Sequence, residues 1–174
     1  MKNILVKILF FVSVVFFNTS FAATSTLIKT DQASLNLVAG EYANGIVSAG
    51  LHYKLKRGWK IYWREPGDTG YPPRLDWSKS ENLKSADILW PVPKRMREKL
   101  TEGVYSESYG YEGEVLFPIK IVPEDVSKPI KVNVNVNYAI CKEICIPAEA
   151  DFILELSFPY KSEKESSLIK KYLS

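Results

Sequence analysis

Two runs of alternating apolar and polar residues constrain the fold of this chain more than any other feature. One run extends from Ile130 to Tyr138, and the other extends from Ala148 to Phe158. Side chains of a β-strand point alternately to the two faces of a sheet. Each run therefore predicts a strand with one buried face, and the short segment between them predicts a hairpin.

The connection between these runs holds both cysteines of the 174-residue chain, Cys141 and Cys145. Counting alternate positions forward from Asn137 and back from Asp151 places both thiols on the polar face, away from the apolar core. Antiparallel partners have Cα atoms about 4.5–5.5 Å apart, and a disulfide requires about 4.4–6.8 Å. A Cys141–Cys145 disulfide across a three-residue loop is therefore geometrically easy.

Such a disulfide has two interpretations. As a structural staple it closes a five-residue ring, which the chain-entropy model values at only about 2 kcal/mol. A β-domain of this size buries enough apolar surface to fold without that contribution. As a redox-active pair, it would cycle between dithiol and disulfide. The spacing alone leaves both interpretations open.

The N-terminus predicts a cleaved secretory signal peptide over residues 1–22. Lys2 and Lys7 precede and flank an apolar stretch from Ile8 to Phe17, and small residues precede a cut after Ala22. The stretch is short for a membrane span, which needs about 20 residues, although an uncleaved anchor is the alternative. We therefore expect export to the periplasm or the cell surface, where disulfides persist.

The charge and the ligand inventory argue against several functions. The net charge is +3, and removal of the signal with its two lysines leaves +1. So small a positive charge does not indicate a nucleic-acid-binding protein. Two cysteines and one histidine, His52, are too few for a structural zinc site with four ligands. His52 lies on the polar side of its predicted strand, so we expect a solvated residue. No cofactor and no metal are predicted.

The remaining pattern predicts an all-β sandwich over residues 23–160. Strands are expected at 33–39, 46–56, 75–77, 86–90 and 115–121, with glycine and proline at the turns. Pro118 within the last of these suggests a sheet edge or a bulge.

Other segments are predicted to lie outside the regular strands. Residues 64–73 read as an aromatic loop, and residues 107–113 read as an aromatic turn. The charged run 94–99 predicts a solvated edge or loop. The charged tail, residues 161–174, has weak helical spacing and predicts a frayed helix or disorder.

The aromatic residues from Trp59 to Tyr71 allow two interpretations. They could bind a carbohydrate or a partner, but rings that cap one end of the sandwich core are the favoured interpretation.

Several separated motifs resemble the N-terminal periplasmic domain of DsbD-type and ScsB-type thiol–disulfide reductases. They are Trp59…Tyr62-Trp63-Arg64…Pro66-Gly67-Asp68…Gly70…Pro72-Pro73, Trp90-Pro91…Pro93, Tyr109-Gly110-Tyr111-Glu112…Val115 and Cys141…Ile144-Cys145-Ile146-Pro147. The resemblance covers about residues 35–158. It implies an immunoglobulin-like β-sandwich in which Cys141 and Cys145 form the catalytic redox pair of a thiol–disulfide oxidoreductase.

The resemblance also implies a cap loop and redox partners. Tyr109, with Glu107 and Tyr111 beside it, would belong to a loop that shields the cysteine pair. A membrane-embedded thiol reductase would donate electrons. Periplasmic thioredoxin-like proteins, disulfide isomerases or cytochrome c maturation proteins would accept them. The family's membrane unit and thioredoxin-like domain do not follow in this sequence, so the donor is expected to be a separate protein. The rival expectation is a non-catalytic binding or structural module with a stapling disulfide.

Overall fold

The alternating runs form strands in the computed structural model, which describes residues 23–173. The predicted signal peptide at residues 1–22 lies outside the described residues. The described part contains eleven strands and one helix. They are β1 (Ile28–Lys29), β2 (Ala33–Ala43), β3 (Ile46–Leu55), β4 (Lys60–Gly67), β5 (Arg74–Asp76), β6 (Leu83–Ile88), β7 (Lys94–Thr101), β8 (Val104–Glu112), β9 (Glu114–Pro123), β10 (Ile130–Cys141), β11 (Cys145–Leu156) and α1 (Glu163–Lys170).

The strands form two antiparallel sheets that pack face to face. One sheet has the order β1-β2-β3-β9-β6, and the other has the order β11-β10-β4-β8-β7 with β5 also paired to β10. Alternate residues of both sheets fill one core, which is typical of a sandwich. Trp90 and Phe117 pack within it with ring centroids 5.0 Å apart. The all-β, immunoglobulin-like sandwich predicted from the sequence is confirmed.

Three predictions about the strands are wrong. Residues 64–67, expected in an aromatic loop, continue the strand β4. Residues 107–112 belong to the long strand β8 and not to a turn, because Tyr111 is buried in the core and holds this segment in the sheet. Pro118 lies in the inner strand β9, where it is paired with Gly50 of β3. The proline is tolerated there because β6 ends beside it, and its carbonyl still accepts a bond from the Leu89 N–H at 2.7 Å.

The C-terminal segment is a helix that packs on the sandwich. Ile169 of α1 is fully buried against Val38 and Leu116, which lie on the outer face of the five-stranded sheet. The helix therefore covers that face and leaves the outer face of the other sheet for the cysteine site. Within residues 23–173, none of the helical structure has the length and apolar character that crossing a bilayer would take.

Candidate functional site

The two cysteines close the β10–β11 hairpin. The strands pair without a register shift from Ile130 opposite Leu156 to Cys141 opposite Cys145. Their sulfur atoms form a disulfide, with the Cα atoms 4.1 Å apart. In the three-residue loop between them, the Lys142 N–H donates a hydrogen bond to the Ile144 carbonyl at 3.0 Å. The hairpin thus presents the disulfide at one end of the six-stranded sheet.

The two sulfur-bearing residues differ in exposure. Both lie on the sheet's outer face, which is the face turned away from the main core, as the parity count predicted. Cys141 is nevertheless only 1% exposed, whereas Cys145 is exposed at the start of the edge strand. The outer face of β10 is therefore covered at this end of the sheet, and Cys145 is the more accessible of the two cysteines.

The cover over Cys141 consists of Tyr62 and Met96. Tyr62 of β4 is 2% exposed and forms a small cluster with Ala139 and Cys141, against which Met96 of β7 packs. The loop that follows β4 lies directly on the Tyr62 ring. A Cβ atom at Gly70 would be 2.4 Å from the ring, and the φ angle there is +111°, so the close approach requires glycine.

A buried ammonium group lies on the strand beside Cys141. Lys60 of β4 is the direct cross-strand neighbour of Cys141, and it is 6% exposed. Its Nζ forms an ion pair with Glu98 of β7. The charged run at residues 94–99 therefore lies in an edge strand, in agreement with the predicted edge or loop, and its single acid, Glu98, reaches back to the disulfide end of the sheet.

The predicted cap residues lie along β8 and not in a loop. Glu107 accepts bonds from Arg95 at 3.1 and 2.5 Å, and its backbone N–H donates to the Asp68 carboxylate at 2.8 Å. The Tyr109 ring packs near Trp63, with centroids 6.5 Å apart. Within residues 23–173, the apolar cluster around Cys141 contains neither of them.

Tyr111, the third of the predicted cap residues, lies in the core. Its hydroxyl donates to the Pro91 carbonyl at 2.7 Å, and its ring packs on Phe117 with centroids 5.1 Å apart. Burial raises the pKa of Tyr111. Trp59 and Trp63 also pack against the main core, as the favoured interpretation of that aromatic segment expects. Tyr62 faces the disulfide instead, and Tyr71 is 41% exposed.

Sequence reasoning missed Lys60, Tyr62 and Met96. Lys60 and Tyr62 alternate with the core residue Ile61, so their common face could have been read from the sequence. Their position beside Cys141 could not be read in this way, because more than sixty residues separate β4 from β10 and only the tertiary pairing brings the two strands together.

His52 is not the solvated residue that the sequence predicted. It is 7% exposed on the outer face of the five-stranded sheet, and its Nε2 lies 2.8 Å from Glu114 Oε1. Burial lowers the pKa of His52, and the bond to Glu114 offsets part of that effect. The described residues contain no group of three or more side chains suited to hold a metal ion.

The fold and the disulfide together define a β-sandwich thiol–disulfide module. The family model "Thiol:disulfide interchange protein DsbD, N-terminal" matches residues 24–157. This chain belongs to that family. None of the curated proteins matches the sequence.

One solved structure agrees with this assignment. The N-terminal periplasmic domain of ScsB from Proteus mirabilis superposes with a TM-score of 0.66 at 26% identity. The match covers 88% of this chain and 60% of the ScsB domain, so the chain spans well under the full length of that structure. The GAE domain of GGA2p from Saccharomyces cerevisiae also matches, at 12% identity and a TM-score of 0.42, over 76% of this chain and 96% of that one.

Proposed function

We propose that this protein relays reducing equivalents by thiol–disulfide exchange at Cys141 and Cys145. A membrane-embedded thiol reductase donates the electrons. Periplasmic thioredoxin-like proteins, disulfide isomerases or cytochrome c maturation proteins accept them. The observation that carries the proposal is the disulfide itself, which joins one exposed and one buried cysteine. Membership of the family supports it.

Location in the periplasm is part of the same proposal. The ScsB domain is described as periplasmic, and residues 1–22 have the composition of a secretory signal. We propose that this signal is cleaved and that the β-sandwich domain follows it.

Reduction begins at the exposed sulfur. A donor thiolate attacks Cys145 Sγ, the Cys145–Cys141 bond breaks, and Cys141 leaves as a thiolate. The second cysteine of the donor then attacks, as a thiolate, the sulfur of the first donor cysteine in the mixed disulfide, and Cys145 is released. The donor is oxidised to a disulfide, and this protein holds two thiols after one proton is taken up at each sulfur.

Delivery reverses these roles. The Cys145 thiolate attacks an acceptor disulfide, and one acceptor cysteine leaves as a thiol. The Cys141 thiolate then attacks Cys145 Sγ, which restores the internal disulfide and releases the reduced acceptor. Burial of Cys141 next to the exposed Cys145 supports its role as leaving group and resolving nucleophile.

Shielding of the buried sulfur is the second part of the mechanism. A cover that excludes small oxidants until a partner docks would limit unproductive reactions. Tyr62 and Met96 occupy that position over Cys141. The lid assigned to Tyr109 and Glu107 by family resemblance remains a proposal, and it would require movement of β8 towards the disulfide.

The test is the reduction potential of the disulfide in the purified protein, measured by equilibration with glutathione or dithiothreitol followed by thiol trapping. A relay predicts a value within the range of known exchange proteins, about −120 to −270 mV. A potential below about −300 mV is typical of an inert structural disulfide. That result would replace the relay by a stapled binding module.

A further inference from the structure

Strand β11 forms a long and regular free edge that begins at Cys145. It pairs with β10 over all twelve of its residues without a bulge. In the described part of the chain, no other strand pairs with β11, and its backbone makes no hydrogen bond outside this ladder. Natural sheets usually shorten, bulge or cover such an edge, or place charges and proline in it, because its unpaired groups can accept another strand. Of these devices, β11 carries a proline and charged side chains, and the charges discriminate against a strand of like sign.

The backbone groups that face this edge can be identified from the bonds of β10. Lys131 exchanges two backbone bonds with Glu81, at 3.1 and 2.8 Å, and Asn133 bonds to the Ser80 hydroxyl through both its N–H and its C=O, at 2.9 Å each. These residues thus direct their backbone groups away from β11. The pairs Lys131–Glu155 and Asn133–Ile153 are therefore non-hydrogen-bonded pairs of the β10–β11 ladder. The backbone N–H and C=O groups of Glu155 and Ile153 consequently point to the free edge.

The alternation of an antiparallel ladder extends this assignment along β11. Asp151, Glu149 and Cys145 also direct their N–H and C=O groups outward. Pro147 falls in the same series, which fits, because a proline in an edge strand occupies a position whose N–H would face away from the sheet. Five outward N–H groups thus lead along the edge to the exposed cysteine.

The side chains of the same positions are acidic. Glu149, Asp151 and Glu155 project from the outer face, with Ile153 among them at 52% exposure. Asn135 Nδ2 donates to Glu149 Oε1 at 2.7 Å and to Asp151 Oδ1 at 2.9 Å, so both carboxylates are held in position. Opposite charges on directly facing strand positions stabilise pairing, and like charges oppose it.

We propose that the free edge of β11 docks an extended segment of the redox partner by strand addition. The segment carries basic side chains at alternate positions and runs antiparallel to β11, so that its C-terminal end brings a cysteine to Cys145. A second copy of this chain fits poorly. Antiparallel pairing of two β11 edges over residues 149–155 would set Glu149 against Glu155 at both ends. The role of the edge in electron transfer rests on the proposed function.

The test compares two peptide thiols of equal length, each ending in cysteine. One alternates threonine with lysine, and the other alternates threonine with glutamate. Glutathione, which is too small to add a strand, reports the chemistry at Cys145 by itself. We expect the lysine peptide to reduce the disulfide about tenfold faster than the glutamate peptide, since several facing pairs change sign. Added salt will reduce this preference.

A matched pair of variants separates strand addition from general charge attraction. Ile153→Pro keeps every charge but removes one outward N–H, whereas Ile153→Thr keeps the N–H. For each variant, the rate at which a peptide reduces the disulfide is divided by the rate for glutathione. The resulting preference for the lysine peptide over the glutamate peptide must fall in Ile153→Pro and persist in Ile153→Thr. Equal behaviour of the two variants would overturn the docking proposal.

A second measurement does not depend on the proline variant. In a mixed disulfide between the lysine peptide and Cys145 of the Cys141→Ala variant, the amides of Asp151 and Ile153 must become protected from hydrogen exchange. Unprotected amides would also overturn docking at this edge. Failure of glutathione and of both peptides to reduce the disulfide is a different result, which would count against the relay itself.

Discussion

At the scale of single residues, the decisive feature is the unequal exposure of two cysteines that share one sheet face. Parity along a strand is the same for Cys141 and Cys145, yet only Cys141 is covered by Tyr62. Access and thiolate character together govern the reactivity of a cysteine. In the proposed relay, this difference in cover favours contact with the partner at Cys145 and resolution by Cys141.

Single-cysteine variants test this assignment. Alkylation of Cys141 in Cys145→Ser should be at least about tenfold slower than alkylation of Cys145 in Cys141→Ser, because Cys141 becomes accessible only through local opening. Rates with iodoacetamide, measured by mass spectrometry, give the ratio. Similar rates, or faster modification of Cys141, would contradict the assignment.

Removal of the tyrosine ring should uncover Cys141. Tyr62→Ala should lower the free energy of unfolding by about 3 kcal/mol, as for other buried aromatics, and should accelerate alkylation of Cys141 in the Cys145→Ser background. Tyr109→Ala, in the same assay and in oxidation of the reduced pair, tests the lid proposed for that residue. If either substitution leaves these rates unchanged, the tyrosine that it removes does not shield the cysteines.

At the scale of elements, the helix α1 and the outer face of its sheet depend on each other. Val38 and Leu116 point away from the main core, and in the absence of the helix they would lie on the surface. Burial of apolar area is worth roughly 25 cal/mol per Å². The sequence pattern of the charged tail is only weakly helical, so packing on the sheet is what stabilises α1, as it does for most short helices.

A substitution in α1 measures that packing. Ile169→Ala should lower the free energy of unfolding by about 2–5 kcal/mol. Leu173→Ala is the matched control, because Leu173 is exposed, and exposed substitutions usually change stability by less than about 0.5 kcal/mol. Urea unfolding followed by tryptophan fluorescence gives both values, and equal losses would mean that α1 does not dock through Ile169.

At the scale of the whole molecule, the two outer faces of the sandwich have different tasks. One carries the disulfide, while the other carries α1 and the buried His52, which is paired with the exposed Glu114. The histidine couples stability to pH without touching the redox site. The pH dependence of stability and the reactivity of the disulfide can thus be measured independently of each other.

The pH dependence follows from the lowered pKa of His52. Burial lowers this pKa in the folded protein, so the unfolded chain binds the proton more readily. The associated stability is fully present above the ordinary histidine pKa of about 6.5 and is lost as the pH falls below it. Urea midpoints should therefore decrease from pH 7.5 to pH 5.5, and His52→Gln should flatten that decrease. An equally steep decrease in the variant would exclude His52 as its cause.

The sequence by itself determined the hairpin, the face of both cysteines and the class of fold. These follow from alternation, which is a local property of the strands β10 and β11. Only the tertiary structure decided that Cys141 is covered, that Lys60 lies beside it and that His52 is buried. Each of these depends on a strand or helix distant in sequence, and period-two patterning carries no information about which distant element packs on an outer face. The same limit explains why Tyr111 was read as part of a turn. Its burial is decided by Phe117 and Pro91, and its own neighbours in the sequence do not reveal it.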